Sequence, residues 1–348
     1  MNDFLLIAGG LILLFIGGET LVRGSVSVAK RLGVSELVIG LTLVGFGTSM
    51  PELVTSLRAV QQDAVGIAIG NVAGSNIANI LLVLGVAALI RPIITQPAAL
   101  MRDTLFMIGA TILFAILVYT DQFTRVTGTI MVALLAFYII LSLLLDRGGQ
   151  TPAGEMHADG GKLMGGELGL LTGLGMALAG VAAVVFGARL LVDGGAGLAT
   201  RMGISEAVIG LTIVAIGTSL PELATSAISA MRGKSDVALG NILGSNIFNV
   251  LGILGVTALV KPFSVLVEQP AATSILSTNV DPQGSVALPI LSWEDIGAVF
   301  LSVFLLVLFG LTGKKLARWE GAVLLGAYVL YLGMLAGAVP TPFGAAAA

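Results

Sequence analysis

Two glutamates are the residues in this chain best placed to do chemistry. Glu52 lies in "GTSMPELVTS", Gly47 to Ser56, and Glu222 lies in "GTSLPELATS", Gly217 to Ser226, each near the middle of a long apolar run. An ionised side chain at the centre of a bilayer costs at least ~2.5–3.5 kcal/mol. Neither motif contains a Lys or Arg to offset that cost. A cost incurred twice at matched positions implies a partner, and a bound cation is the natural one.

The prolines supply the local geometry. Proline removes a helix donor and clashes with the preceding turn, so Pro51 and Pro221 should each break a helix, with proline first in a new half-helix and glutamate next. The break is expected to free backbone carbonyls around Gly45 and Ala215, and the new helix N-terminus favours an ionised glutamate. A single proline in a membrane helix reads as a packing kink. Two, each bracketed by Thr-Ser and Glu, read as a built feature.

The runs that follow add oxygens. Asn71, Ser75 and Asn79 are spaced i, i+4, i+8 and form one polar stripe, as do Asn241, Ser245 and Asn249. Such stripes also serve as interhelical glue, and Gly70/Gly74 and Gly240/Gly244 fit small-xxx-small packing. That reading suits the glycines, Asn76 and Asn246, and suits less well two stripes that each follow a Glu-bearing break. The collected side chains are Thr48, Ser49, Glu52, Ser75 and Asn79, with Thr218, Ser219, Glu222, Ser245 and Asn249. All are oxygen donors, two anionic and the rest neutral, the set that hard cations such as Na⁺ and Ca²⁺ take.

Other chemistry has little to build with. The chain has no cysteine and one histidine, His157, in a Gly-rich polar segment. Thiolate and imidazole metal sites, haem and disulfides are therefore not expected, nor is a nucleophile with a positioned base. The nearest approach to a P-loop, "ISAMRGKS" from Ile228 to Ser235, has Ile228 where the first glycine belongs. The reading is of a non-enzyme without cofactors, driven by ion gradients.

The elements that position these residues follow from composition. The 348 residues are 56% hydrophobic and 11% charged, with a mean hydropathy of +1.03, which places the chain among integral membrane proteins. About ten runs of roughly 20 apolar residues recur, the length needed to cross ~30 Å of hydrocarbon. They cover about 4–28, 37–60, 66–90, 103–120, 126–146, 166–194, 207–231, 237–260, 293–313 and 319–338. The first lacks a basic stretch before it and reads as a spanning helix, not a cleaved signal.

A shift of 170 residues lays 31–92 over 201–262 without a gap, with 33 of 62 pairs identical. Five helices per repeat is an odd number, so the second half enters the bilayer from the opposite side. The expected fold is an all-α polytopic membrane protein of ten transmembrane helices, as two inverted five-helix repeats with helices 2 and 7 broken. The halves are 1–145 and 168–348, joined by a cytoplasmic linker at 146–167, and the second carries an external insertion near 263–292. Within it "STNVDPQGSVAL" could turn a small hairpin. Twelve of the 17 basic residues fall on the side of loops 1–2, 3–4, 5–6, 7–8 and 9–10, which puts both termini outside. Glu19, matched to Arg189 in the second repeat, is expected at the membrane interface or in gating.

The paired "GTSxPEL…GNxxGSNI" motifs resemble the α-repeats of the cation/Ca²⁺ exchanger superfamily, in its bacterial and archaeal Na⁺/Ca²⁺ antiporter branch, over nearly the whole chain. That resemblance implies a multi-pass protein of the prokaryotic inner membrane, with helices 1 and 6 sliding past a core and several Na⁺ exchanged for one Ca²⁺ by alternating access. It implies as ion ligands the ten collected side chains and the carbonyls of Gly45 and Ala215, with Ca²⁺, Na⁺ and lipid as the partners and a monomer sufficient for the site. Some relatives have aspartate at the position of Asn249, so stoichiometry stays open. A Ca²⁺/H⁺ or Na⁺/H⁺ antiporter is the alternative function, and a non-transporting membrane scaffold or intramembrane enzyme a remote one.

Overall fold

Apolar length sets the architecture. The structure, a computed structural model, describes residues 2–95, 97–147, 169–201, 215–270, 285–289, 291, 293–312 and 315–335. Its helices are α1 (Asn2–Leu32), α2 (Glu36–Thr48), α3 (Met50–Gln61), α4 (Val65–Ile90), α5 (Pro97–Thr120), α6 (Arg125–Arg147), α7 (Leu170–Arg201), α8 (Ala215–Thr218), α9 (Leu220–Met231), α10 (Ser235–Val260), α11 (Trp293–Thr312) and α12 (Arg318–Leu335). Seven of these are long and apolar enough to cross a membrane, and an eighth span results if α2 and α3 are taken together. The protein is an integral membrane protein. The linker expected at 146–167 falls almost wholly outside the described residues, as does His157.

Two short antiparallel strand pairs modify the all-helical expectation. β1 (Ile93–Ile94) pairs with β4 (Lys315–Leu316), and β2 (Leu266–Pro270) pairs with β3 (Ser285–Pro289). The second pair lies within the expected insertion; β3 begins in "STNVDPQGSVAL" and β2 lies upstream of it. The β-branched and apolar residues of 265–267 supply that strand, and 271–284 lie outside the described residues.

The helices sort into a centre and a periphery. Over its most apolar stretch α10 is 89% buried and α4 72%, whereas α1, α6 and α7 are 28–33% buried. α1 carries Phe4, Leu5, Leu11, Ile12, Phe15 and Ile16 outward, the lipid-facing pattern of a spanning helix. α1 and α7 run antiparallel against each other, residues 3, 10 and 24 of one meeting 197, 187 and 177 of the other. Glycines seven apart permit this approach: a Cβ on Gly24 would lie 2.4 Å from Ala177 N, and one on Gly180 2.4 Å from Leu21 N. At 31 and 32 residues both helices run past their expected C-terminal bounds, and at 1.5 Å per residue they are about 46–48 Å long, more than the ~30 Å hydrocarbon core requires.

Polar contacts join the connections in two groups. Lys234 pairs with Glu36 at 2.7 Å, Arg232 with Glu19 at 2.7 Å, and β1 with β4. Elsewhere Lys261 pairs with Asp63 at 2.7 Å, Asp121 accepts from Ser264 and Val265, and Arg201 pairs with Asp3. Glu19 is thus no lone interfacial acid. Its carboxylate bridges Arg23 on its own helix and Arg232 at the end of α9.

Candidate cation site

The two breaks have one design. α2 ends at Thr48 and α3 begins at Met50, with the bend of 46° absorbed by Ser49 alone. Ser49 has φ −86° and ψ 9°, and Ser219, between α8 and α9, has φ −88° and ψ 5°. Each proline is the second residue of the new helix and each glutamate the third, one position later than expected from the proline rule. Both serines occupy the N-cap position without capping, where a serine oxygen ordinarily accepts from the first turn. Their hydroxyls are left for other partners.

Glu52 and Glu222 are each 1% exposed. Ser49 Oγ donates to Glu222 Oε1 at 2.7 Å, and Ser245 Oγ lies 3.5 Å from the same oxygen and 3.2 Å from Gly45 O. The first break therefore touches the second glutamate directly. What makes this meeting possible is the close crossing of α10 over α2. A Cβ on Gly244 would lie 2.2 Å from Leu41 O, and one on Gly240 2.4 Å from Leu37 O. Gly240 and Gly244 thus pack as their spacing predicts. No described atom lies within 4 Å of a Cβ on Gly70 or Gly74, and the residues that the repeat would set against them fall within 202–214, outside the described set.

Backbone braces hold both glutamate turns. Asn71 Nδ2 donates to Glu52 O (3.2 Å) and Ser56 Oγ (2.9 Å), and Asn241 Nδ2 donates to Glu222 O (3.3 Å) and Ser226 Oγ (2.9 Å). Asn241 Oδ1, turned the other way, accepts from Thr48 at 3.1 Å. Asn71 and Asn241 are therefore structural members of the stripes, a role their matched positions hinted at without defining. Beyond them, Asn79 opens a π-helical turn, Asn79–Leu84, and Asn249 lies in another, Phe248–Leu254. Such turns recur at functional sites, and a periodicity of four cannot reveal them.

Gly45 O differs from expectation. It accepts the Ser49 amide at 3.1 Å, has Ser245 Oγ at 3.2 Å and lies 3.3 Å from Thr48 Oγ1. By i→i−4 counting, the donor that Pro51 lacks belongs to Gly47, so Gly45 keeps its backbone bond and offers a second lone pair. Ala215 is the first residue of α8, and Thr218 its last. Ser75 is buried on α4.

The decisive chemistry is in the oxygens left over. Glu52 Oε2, Glu222 Oε2, Asn79 Oδ1, Asn249 Oδ1 and Ser219 Oγ are buried and have no hydrogen-bond partner among the described residues. Buried polar atoms are nearly always paired. Four of these five are carboxylate or amide oxygens, which can only accept, so a cation satisfies them where a further carbonyl could not.

The profile of the family described as "Sodium/calcium exchanger protein" matches residues 2–144 and 172–337. The chain belongs to this family. Among exchanger relatives, it is 34% identical over 365 residues to the sodium/calcium exchanger MaX1 of Methanosarcina acetivorans, covering 96% of this chain and 98% of that one. It is 35% identical over 326 residues to the putative antiporter CaxA of Alkalimonas amylolytica, covering 92% and 95%. A solved structure of the sodium-calcium exchanger NCX_Mj superposes with a TM-score of 0.74 at 31% identity, covering 96% of this chain and 99% of that one. The unpartnered oxygens of Glu52, Ser219 and Glu222 therefore lie at the Pro-Glu breaks of a sodium/calcium exchanger family member, with those of Asn79 and Asn249 on the helices that follow.

Proposed function

We propose that this protein is a secondary active antiporter that exchanges Na⁺ for Ca²⁺ by alternating access and exports Ca²⁺ from a prokaryotic cell. The observation that carries the proposal is the set of buried oxygens on Glu52, Asn79, Ser219, Glu222 and Asn249 that have no hydrogen-bond partner among the described residues. The full ligand set is Thr48, Ser49, Glu52, Ser75 and Asn79, their counterparts Thr218, Ser219, Glu222, Ser245 and Asn249, and the carbonyls of Gly45 and Ala215. Two carboxylates balance one Ca²⁺ or two Na⁺. The ions then compete for one place, which is the condition for obligatory exchange.

Ion entry needs hydroxyls to turn. Ser49 and Ser245 give their protons to Glu222 or Gly45 O; with a cation bound, the same oxygens face it with lone pairs. The ion replaces donated protons as the partner of Glu222, so the carboxylate has a partner in both conditions.

We further propose ten spans in two inverted repeats, with both termini outside. The two groups of polar contacts fit this, since the connections each group joins, Glu19 and Asp3 of α1 aside, are ones that the basic-residue count assigns to one side. The bond from Glu19 to Arg232 would then tie the outer helix α1 to the core on the cytoplasmic side. For the test, purified protein in liposomes loaded with Na⁺ and diluted into Na⁺-free buffer is expected to accumulate ⁴⁵Ca²⁺. Uptake that follows a pH gradient and ignores Na⁺ would overturn the sodium reading in favour of proton coupling.

A further inference from the structure

We infer that Asn76 is a positioning residue that fixes the amide of Asn249 with its oxygen toward the ion; the inference rests on the reading of Asn249 as a ligand. Asn76 is 4% exposed on α4, and its Nδ2 donates to the backbone carbonyl of Asn246 on α10 at 3.3 Å. A carbonyl can only accept, so the Asn76 oxygen must face the other way. There it receives Asn249 Nδ2 at 3.0 Å. Reversing either amide would set two oxygens against each other and leave a buried acceptor unpaired. The direction of the whole chain is therefore dictated by one main-chain carbonyl, and its end product is Asn249 Oδ1, buried and without a donor among the described residues.

The matched amide is treated differently. Asn246, the counterpart of Asn76, donates its Nδ2 to Ile242 O within its own helix at 3.0 Å, and its Oδ1 has no partner among the described residues. Asn79, the counterpart of Asn249, is therefore not held by Asn246. An amide presents an acceptor oxygen on one side and donors on the other, and a cation tolerates only the oxygen. Asn76 removes the wrong orientation at Asn249 before the ion arrives, as partners of metal ligands outside the coordination sphere do elsewhere.

Equilibrium ⁴⁵Ca²⁺ binding to the purified full chain in Na⁺-free buffer tests this. Asn76→Ala is expected to weaken Ca²⁺ binding about 10-fold or more, the scale for loss of an outer-sphere partner. Adding Asn249→Asp to that variant is expected to restore binding, because a carboxylate offers an oxygen in either orientation and needs no orienting partner. Parental affinity in Asn76→Ala overturns the inference. So does weakened binding that Asn249→Asp fails to rescue, which would mean a packing role alone. Should Asn76→Ala not fold, Asn76→Ser carries the same expectations, its hydroxyl being too short to bridge both partners. Retained binding in Glu222→Gln would instead overturn the site itself, separately from Asn76.

Discussion

The two Pro-Glu breaks are nearly identical in sequence and in backbone, yet their serines do different things. Ser49 donates to the opposite glutamate at 2.7 Å, while Ser219 Oγ is buried without a partner among the described residues. By contrast, the Asn71 and Asn241 braces match bond for bond, each at 2.9 Å to its serine. Local sequence cannot explain the difference between the serines, because φ and ψ agree within a few degrees. The serines differ in what surrounds them among the described residues. The matched braces read as fixed scaffold, and the unmatched bonds, those of Ser49 and Asn76, are the ones that a transporter with two states could exchange between its halves.

The comparison can be broken at several points, the glutamates first. Glu52→Gln and Glu222→Gln are each expected to reduce Na⁺-driven Ca²⁺ uptake at least about 100-fold, a loss of roughly 2.7 kcal/mol or more of ion binding, and equally in the two halves. Flux assays in liposomes check this; a variant with normal flux would remove its glutamate from the site. Gly244→Ala comes next, because its Cβ would meet Leu41 O at 2.2 Å. A clash with backbone cannot be relieved by a side-chain rotation, so a loss of about 1–3 kcal/mol is expected, read as a lower melting temperature.

The serines sharpen the comparison most. In ion-free protein, Ser49→Ala removes a hydrogen bond to a buried carboxyl group and is expected to cost about 1.5 kcal/mol or more. Ser219→Ala removes no such bond and is expected to leave ion-free melting nearly unchanged, although both variants weaken Ca²⁺ binding. Equal melting shifts would mean that the asymmetry between the halves has no energetic content. The smallest effect is expected at Glu19→Gln, which unlinks α1 from Arg232. Partly exposed ion pairs contribute about 0–1 kcal/mol, so the change should appear in turnover and fade at high salt instead of changing stability.

The breaks were legible in the sequence because proline and a buried acid are each costly in a membrane helix, and the repeat showed both costs twice. The polar stripes were legible as stripes. Their division of labour was not, since Asn71, Asn76 and Asn79 share one residue type, and only the donor geometry separates brace, orienter and candidate ligand. That the Gly45 carbonyl keeps a backbone bond was not legible from the proline alone, because the break falls at Ser49, after the Ser49 amide has completed its bond. The strand pairing of 266–270 with 285–289 was seen only in outline, as a turn-rich segment does not identify its partner. The asymmetry of the halves had no signature at all, because it belongs to a conformation of the whole molecule, whereas the sequence records both copies alike.

Competition between the two ions tests the central claim most directly. Titrating Ca²⁺ into the purified protein by calorimetry at stepped Na⁺ concentrations is expected to show apparent Ca²⁺ affinity falling steeply as Na⁺ rises, with no Ca²⁺ heat in Glu52→Gln or Glu222→Gln. A Ca²⁺ affinity indifferent to Na⁺, or one that survives both substitutions, would contradict the shared buried site.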